Sequence, residues 1–128
     1  MWKYDPNIER DSEEWGSLNE GEQIELVRQY HRRAGIKLPN ALVHATIHTV
    51  VENQIALGDE TPVRRTIDRL QAEGLSRHDA IHAVGLVLAE HMYDLIQSPS
   101  DQNPEKDPNE PYWSSLEELT AENWRKRT

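Results

Sequence analysis

The sequence predicts an all-α fold: a small helical bundle of about four core helices, with an N-terminal arm and a C-terminal helix docked after a Pro-rich linker. Three observations predict it. Apolar residues recur every three or four positions through residues 20–97, N-capping residues and glycines punctuate that stretch at helix-length intervals, and no period-two alternation marks a strand. At 128 residues the chain is one ordinary domain in length and can bury a core without covalent staples.

Residues 1–19 are polar and acidic, with Asp11, Glu13 and Glu14 around a lone Trp15, and read as an arm lying against the domain. The helical domain spans 20–97. From Glu20 to Ala34, the residues Ile24, Val27, Tyr30 and Ala34 form the stripe of an amphipathic helix that Gly35 stops. Pro39-Asn40 opens the second helix, with Asn40 as N-cap, and its face carries His44, Ile47, His48, Val51, Glu52 and Ile55 as far as Gly58. Thr61 as N-cap and Pro62 at the first helical position start a third helix, whose stripe is Val63, Ile67 and Leu70 and whose end is Gly74. Ser76 caps the fourth and most hydrophobic helix, which runs through Ala80–Ala89 to Ile96 and should be the central one. Residues 98–111 hold Pro99, Pro104, Pro108 and Pro111 among polar residues and read as a linker. In 112–128, Ser114 or Ser115 with Glu117 or Glu118 resembles a capping box, and Leu116, Leu119 and Trp124 form a stripe that could dock on the bundle.

Composition narrows the function classes. Fourteen basic residues against 23 acidic ones give a formal charge of −9, so the long-range field repels nucleic acid and anionic membrane surfaces. The absence of cysteine excludes disulfides, thiolate metal sites and a cysteine nucleophile. Any metal must be held by nitrogen and oxygen. The first residues lack the apolar core of a signal peptide, and no apolar run reaches the roughly 20 residues of a membrane helix. A cytoplasmic protein is expected, with another protein or a second copy of the chain (a homo-oligomer) as the open partner classes.

The histidines carry the chemistry. Residues four apart on a helix differ by about 40° in direction and about 6 Å in height, so two imidazoles at that spacing can reach one ion. His44 and His48 have this spacing, Glu52 extends their row by a turn, and His78 and His82 repeat it on the fourth helix. Short turns between successive helices would make the second and fourth helices parallel and set the two pairs at similar heights. The expected ligands are therefore His44, His48, Glu52, His78 and His82, around one divalent transition metal, zinc or iron foremost. Asp79 and Glu90 are placed to accept from imidazole N–H groups. His91 should point elsewhere, His31 beside Arg32 and Arg33 reads as ordinary, and Arg64, Arg65 and Arg69 read as a solvated face pairing with Asp68 or Glu60.

The stretch Asn40-Ala41-Leu42-Val43-His44-Ala45-Thr46-Ile47-His48, followed by Glu52-Asn53-Gln54 and by Arg77-His78-Asp79-Ala80-Ile81-His82, resembles a bacterial family catalogued as the domain of unknown function numbered eighteen forty-one. Its members carry N-P-x-x-H-x-x-x-H, then E-Q, then a second H-x-x-x-H. The resemblance covers residues 38–97; here Asn53 separates Glu52 from Gln54, and the proline precedes the asparagine. It implies a similar helical fold and brings no activity with it.

Three functional classes are open to such a chain. The first is a metal-binding helical protein. The second is a metal-dependent hydrolase or oxidase, which needs an open coordination position and a nearby acid or base; Glu52 could be that base, although no HExxH signature exists. The third is a metal-free interaction module whose histidines form a buried polar network.

Overall fold

A computed structural model describes residues 3–9, 11–35, 40–97 and 107–127. Within them the chain forms seven helices and no strand: α1 (Ser12–Gly16), α2 (Glu20–Arg33), α3 (Ala41–Ala56), α4 (Val63–Ala72), α5 (Arg77–Gln97), α6 (Glu110–Glu118) and α7 (Ala121–Arg127), with a 3₁₀ turn at Gly58–Glu60. The fold is all-α, as the periodicity predicts. No helix among the described residues is long and apolar enough to cross a membrane. Pro39 and linker residues 98–106, both given roles in the sequence reading, lie outside the described residues.

Local chemistry starts and stops the helices where expected. Asn19 and Glu22 form a reciprocal capping box on α2, and the Asn40 side chain accepts from the Val43 N–H at the start of α3. Helix α4 begins one residue later than predicted, with Pro62 in the N-cap position and Thr61 Oγ1 accepting from the Val63 N–H. Its C-terminus turns sharply. The Leu75 N–H reaches the Leu70 carbonyl (3.1 Å) and the Gly74 N–H reaches that of Gln71 (3.0 Å), a paired closure that needs Gly74 at its observed φ of 106°. Ser76 Oγ then accepts from the Asp79 N–H, so α5 starts at a fixed point and carries Arg77 and His78 into the molecule.

Two apolar clusters result. The larger draws Val51 and Ile55 from α3, Ile67 and Leu70 from α4, Ile81 and Val84 from α5, and Tyr112 and Leu116 from α6. The smaller unites Leu26 and Val27 of α2 with Ala45 of α3, Trp15 of α1 and Tyr4 of the arm. The arm is thus part of the structure. Tyr4 and Pro6 are fully buried; Arg33 donates to the Tyr4 carbonyl (2.9 Å), Arg77 to the Pro6 carbonyl (2.9 Å), and the His78 N–H to Asn7 Oδ1 (3.1 Å). Trp15, Gln23 and Asn53 close a polar triangle joining α1, α2 and α3.

The C-terminal region differs from expectation. A helix already begins at Glu110, with Pro111 in its first turn, where proline's missing N–H removes no helical bond. Instead of one continuous helix there are two, separated where Leu119 turns extended (ψ 130°) to bury its side chain. Arg69, read from sequence as part of a solvated face, caps α6: its Nη1 and Nη2 donate to the carbonyls of Leu119 (2.7 Å) and Leu116 (2.9 Å). It also pairs with Glu73, whose other oxygen accepts from the Ala121 N–H.

Candidate metal centre

Each histidine reaches the site from a helix whose packing is already fixed. His31 lies four residues after Val27 on the buried face of α2, which comprises Gln23, Leu26, Val27 and His31; of the predicted stripe, Val27 is buried, Ile24 and Tyr30 pack half-buried at its edge and Ala34 is exposed. His48 is buried on α3, and His78 and His82 occupy the first two turns of α5. One ring nitrogen from each of His31, His48, His78 and His82 lies within 4.8 Å of the others. Four points so confined sit within about 2.9 Å of a common centre, about 1 Å beyond the 2.0–2.1 Å of a zinc–imidazole bond. Small ring rotations would close that gap.

The expected pairs meet, but not as parallel helices would bring them together. His44 Nε2 lies 3.2 Å from His82 Nε2, while Glu52, two turns further along α3, meets Arg77, five residues earlier on α5. The pairs run in opposite order along the two helices. The cause is the connection: the 3₁₀ turn and the ten-residue α4 span about 15 Å of helix, too short to retrace the sixteen residues of α3.

Two of the expected ligands are placed differently from the rest. The Glu52 carboxylate lies outside the four-histidine group; its two oxygens accept from Arg77 Nη2 and Nη1 at 2.8 and 2.9 Å, in a pair only 8% and 6% exposed. His44 flanks the group, half-buried against His82 and with its ring centroid 4.7 Å from that of His31. His31, expected to be ordinary, is a member. Its signal was present in the sequence, since it continues the Ile24 and Val27 face at spacings of seven and four. His91 does point elsewhere, stacking on Tyr112. Glu90 is exposed, and Asp79 acts on His78 only through its field.

A chain of hydrogen bonds fixes which nitrogen His48 offers. Both Glu52 oxygens already accept from Arg77, so toward Tyr4 the carboxylate is again an acceptor, and the Tyr4 hydroxyl donates to it. Burial and the Glu52 charge hold the Tyr4 hydroxyl well above its ordinary pKa, so it keeps that proton. The Tyr4 oxygen must therefore accept from His48 Nε2, 2.7 Å away. Nε2 carries the hydrogen and Nδ1 is left as a bare lone pair. His31 is oriented likewise: its Nδ1 lies 2.8 Å from the Val27 carbonyl, an acceptor, which leaves Nε2 bare.

Four buried ring nitrogens among the described residues have no hydrogen-bond partner; three belong to this group, including the two just assigned, and the fourth is Nε2 of His91, against Tyr112. Nε2 of His31, Nδ1 of His48 and Nε2 of His78 are buried ring nitrogens without a hydrogen-bond partner. Each such atom costs about 1–3 kcal/mol, a cost that an ion bound among these rings would relieve. The group fits a metal: three oriented or unpartnered nitrogens and His82, all able to bind as neutral imidazoles. No family model, curated protein or solved structure matches this chain.

The electrostatics favour neutral rings. Burial, reinforced by neighbouring imidazoles, lowers His44 to about 4 and His82 to about 3, and moves His48 and His78 down as well. In the unfolded chain these groups protonate near pH 6.5. Between about pH 6.5 and 4 the unfolded state then binds more protons than the native state, so native stability falls as pH falls. Urea unfolding of metal-free protein should accordingly give a midpoint that is level above pH 7 and declines steadily between pH 6.5 and 4. A flat midpoint over that interval would mean the rings are solvated.

Proposed function

We propose that this protein is a metal-binding helical protein in which His31, His48, His78 and His82 hold one divalent transition metal, with His44 beside the centre and Glu52 acting through Tyr4. The reading is supported above all by the convergence of four imidazoles, three of which carry a buried ring nitrogen without a hydrogen-bond partner. An all-imidazole set in a tetrahedral arrangement suits zinc first and iron(II) second, and disfavours calcium and magnesium. The four ligands come from α2, α3 and α5, so the ion would tie together helices from both apolar clusters.

Elemental analysis of protein purified without chelator tests this directly. About one equivalent of zinc or iron is expected, and His82→Ala or His48→Ala should reduce it to background while the helical circular dichroism persists. Metal-free wild-type protein that also fails to take up zinc on titration would end the proposal.

Tyr4→Phe examines the outer contacts. It removes the acceptor for His48 Nε2–H and a donor to Glu52, so His48 can adopt the other tautomer. A loss of 10- to 100-fold in zinc affinity is expected, about the usual effect of removing such a partner, read by competition with a chromophoric chelator. An affinity within twofold of wild type would show that Tyr4 only packs.

A further inference from the structure

Beside the histidine group, between α3 and α5, lies a cavity of about 220 Å³ that is partly open to solvent. His44, His48 and His82 form one end, and Ile47, Leu86 and Ala89 are among the residues lining the rest, so the walls are almost wholly apolar. Its shape is close-set: a methyl group added at Gly85 would lie 3.2 Å from Ile47 Cγ2. A second hollow, at Tyr4, Ile8 and Trp15, is only about 10 Å³ and holds nothing larger than a water.

The two ends of the cavity make different demands on a ligand. A dry apolar cavity of about 150 Å³ accommodates benzene, so this one has room for a body of roughly six to nine non-hydrogen atoms. At the histidine end, four neutral imidazoles would leave both positive charges of a divalent ion uncompensated in a mostly buried site, a costly state unless an anion is close. Glu52 cannot serve, because Arg77 neutralises it; Asp5 and Asp79 act on His78 as charges, but neither lines the cavity. A ligand that answers both ends is a carboxylate with a short hydrocarbon chain.

We infer that the cavity binds a short-chain monocarboxylate of about five to eight carbons, its carboxylate at the metal beside His44 and His82 and its chain along Ile47, Leu86 and Ala89. This rests on the metal centre proposed above. The carboxylate would enter as a fifth ligand, a coordination number that catalytic zinc sites reach during reaction, and no covalent step is involved.

The test uses full-length protein loaded with cobalt(II), its metal content fixed by elemental analysis and its visible spectrum followed while acetate, butyrate, hexanoate and octanoate are titrated in turn. Affinity should rise about fourfold per added methylene as far as hexanoate or octanoate, with a spectral change reporting the added ligand. Ala89→Phe, which fills the cavity away from the ligands, should abolish the chain-length dependence while cobalt content stays at one equivalent; Ala89→Leu should weaken it if the larger residue disturbs folding. Equal affinity for acetate and hexanoate in fully loaded protein, or a series unaffected by either Ala89 variant, would overturn the cavity assignment and leave the metal centre standing. Protein that takes up no cobalt would overturn both.

Discussion

Arg77→Ala is expected to lower the stability of the domain by about 3–5 kcal/mol, the range for removing one partner of a buried ion pair. The effect is large because the truncation does more than delete a contact. It leaves the Glu52 carboxylate 8% exposed and without its two charged donors, and it strips the Pro6 carbonyl of the donor that anchors the arm. The Arg77 guanidinium is held above its ordinary pKa, since the hydrogen bonds and charge of Glu52 outweigh the burial that opposes it, so the charge is fully present for the carboxylate to lose. Urea unfolding measures the loss; a change below about 1 kcal/mol would indicate that water reaches Glu52 as at a surface pair. The double variant Arg77→Met with Glu52→Leu separates stability from site chemistry. Replacing both charges should restore most of the stability, yet zinc affinity should stay low, because the Tyr4 proton has lost its acceptor and His48 its fixed tautomer.

The second large effect is that of metal removal. An ion held at a hundredfold above its dissociation constant contributes about 2.7 kcal/mol to stability, and for a chain of this size each kcal/mol shifts the midpoint by roughly 3–5 °C. Chelation should therefore lower Tm by about 10 °C, and zinc added back should restore it. His82→Ala should start near the chelated value and respond to neither treatment. The chelated protein should remain helical, because both apolar clusters exist without the ion. Metal-replete protein with an unchanged Tm in chelator would show that the ion binds native and unfolded chains alike.

Much of this was legible in the sequence, and the illegible part has a physical reason. Four-residue spacing fixes direction on a helix, so the pairs His44/His48 and His78/His82 could be read as facing one point before any packing was known. Spacing carries no information about which helices cross, so the reversed pair order between α3 and α5 was not accessible; it follows from the short α4. Glu52 shares the histidine row, but whether a carboxylate meets an ion or an arginine depends on what the next helix brings, and here Arg77 arrives at the first position of α5. His31 reads as ordinary because its neighbours Arg32 and Arg33 suggest a solvated end, although its spacing from Val27 points it inward. Tyr4 could not have been found at all: it stands in a non-helical arm with no periodicity, and only the tertiary structure brings its hydroxyl to His48 and Glu52. The break at Leu119 was hidden likewise, since extended backbone is adopted there to bury one leucine while Arg69 supplies the cap.

The division of the interior into two apolar clusters has a consequence for how the chain opens. Separate clusters can come apart as separate cooperative units, so amides around Leu26 and Val27 need not exchange with solvent at the same free energy as those around Val51, Ile67 and Val84. His31 belongs to the first unit and His82 to the second. An ion shared between them would be released whichever unit opened, so both openings would become rarer by the same factor and protection against exchange would rise throughout the molecule.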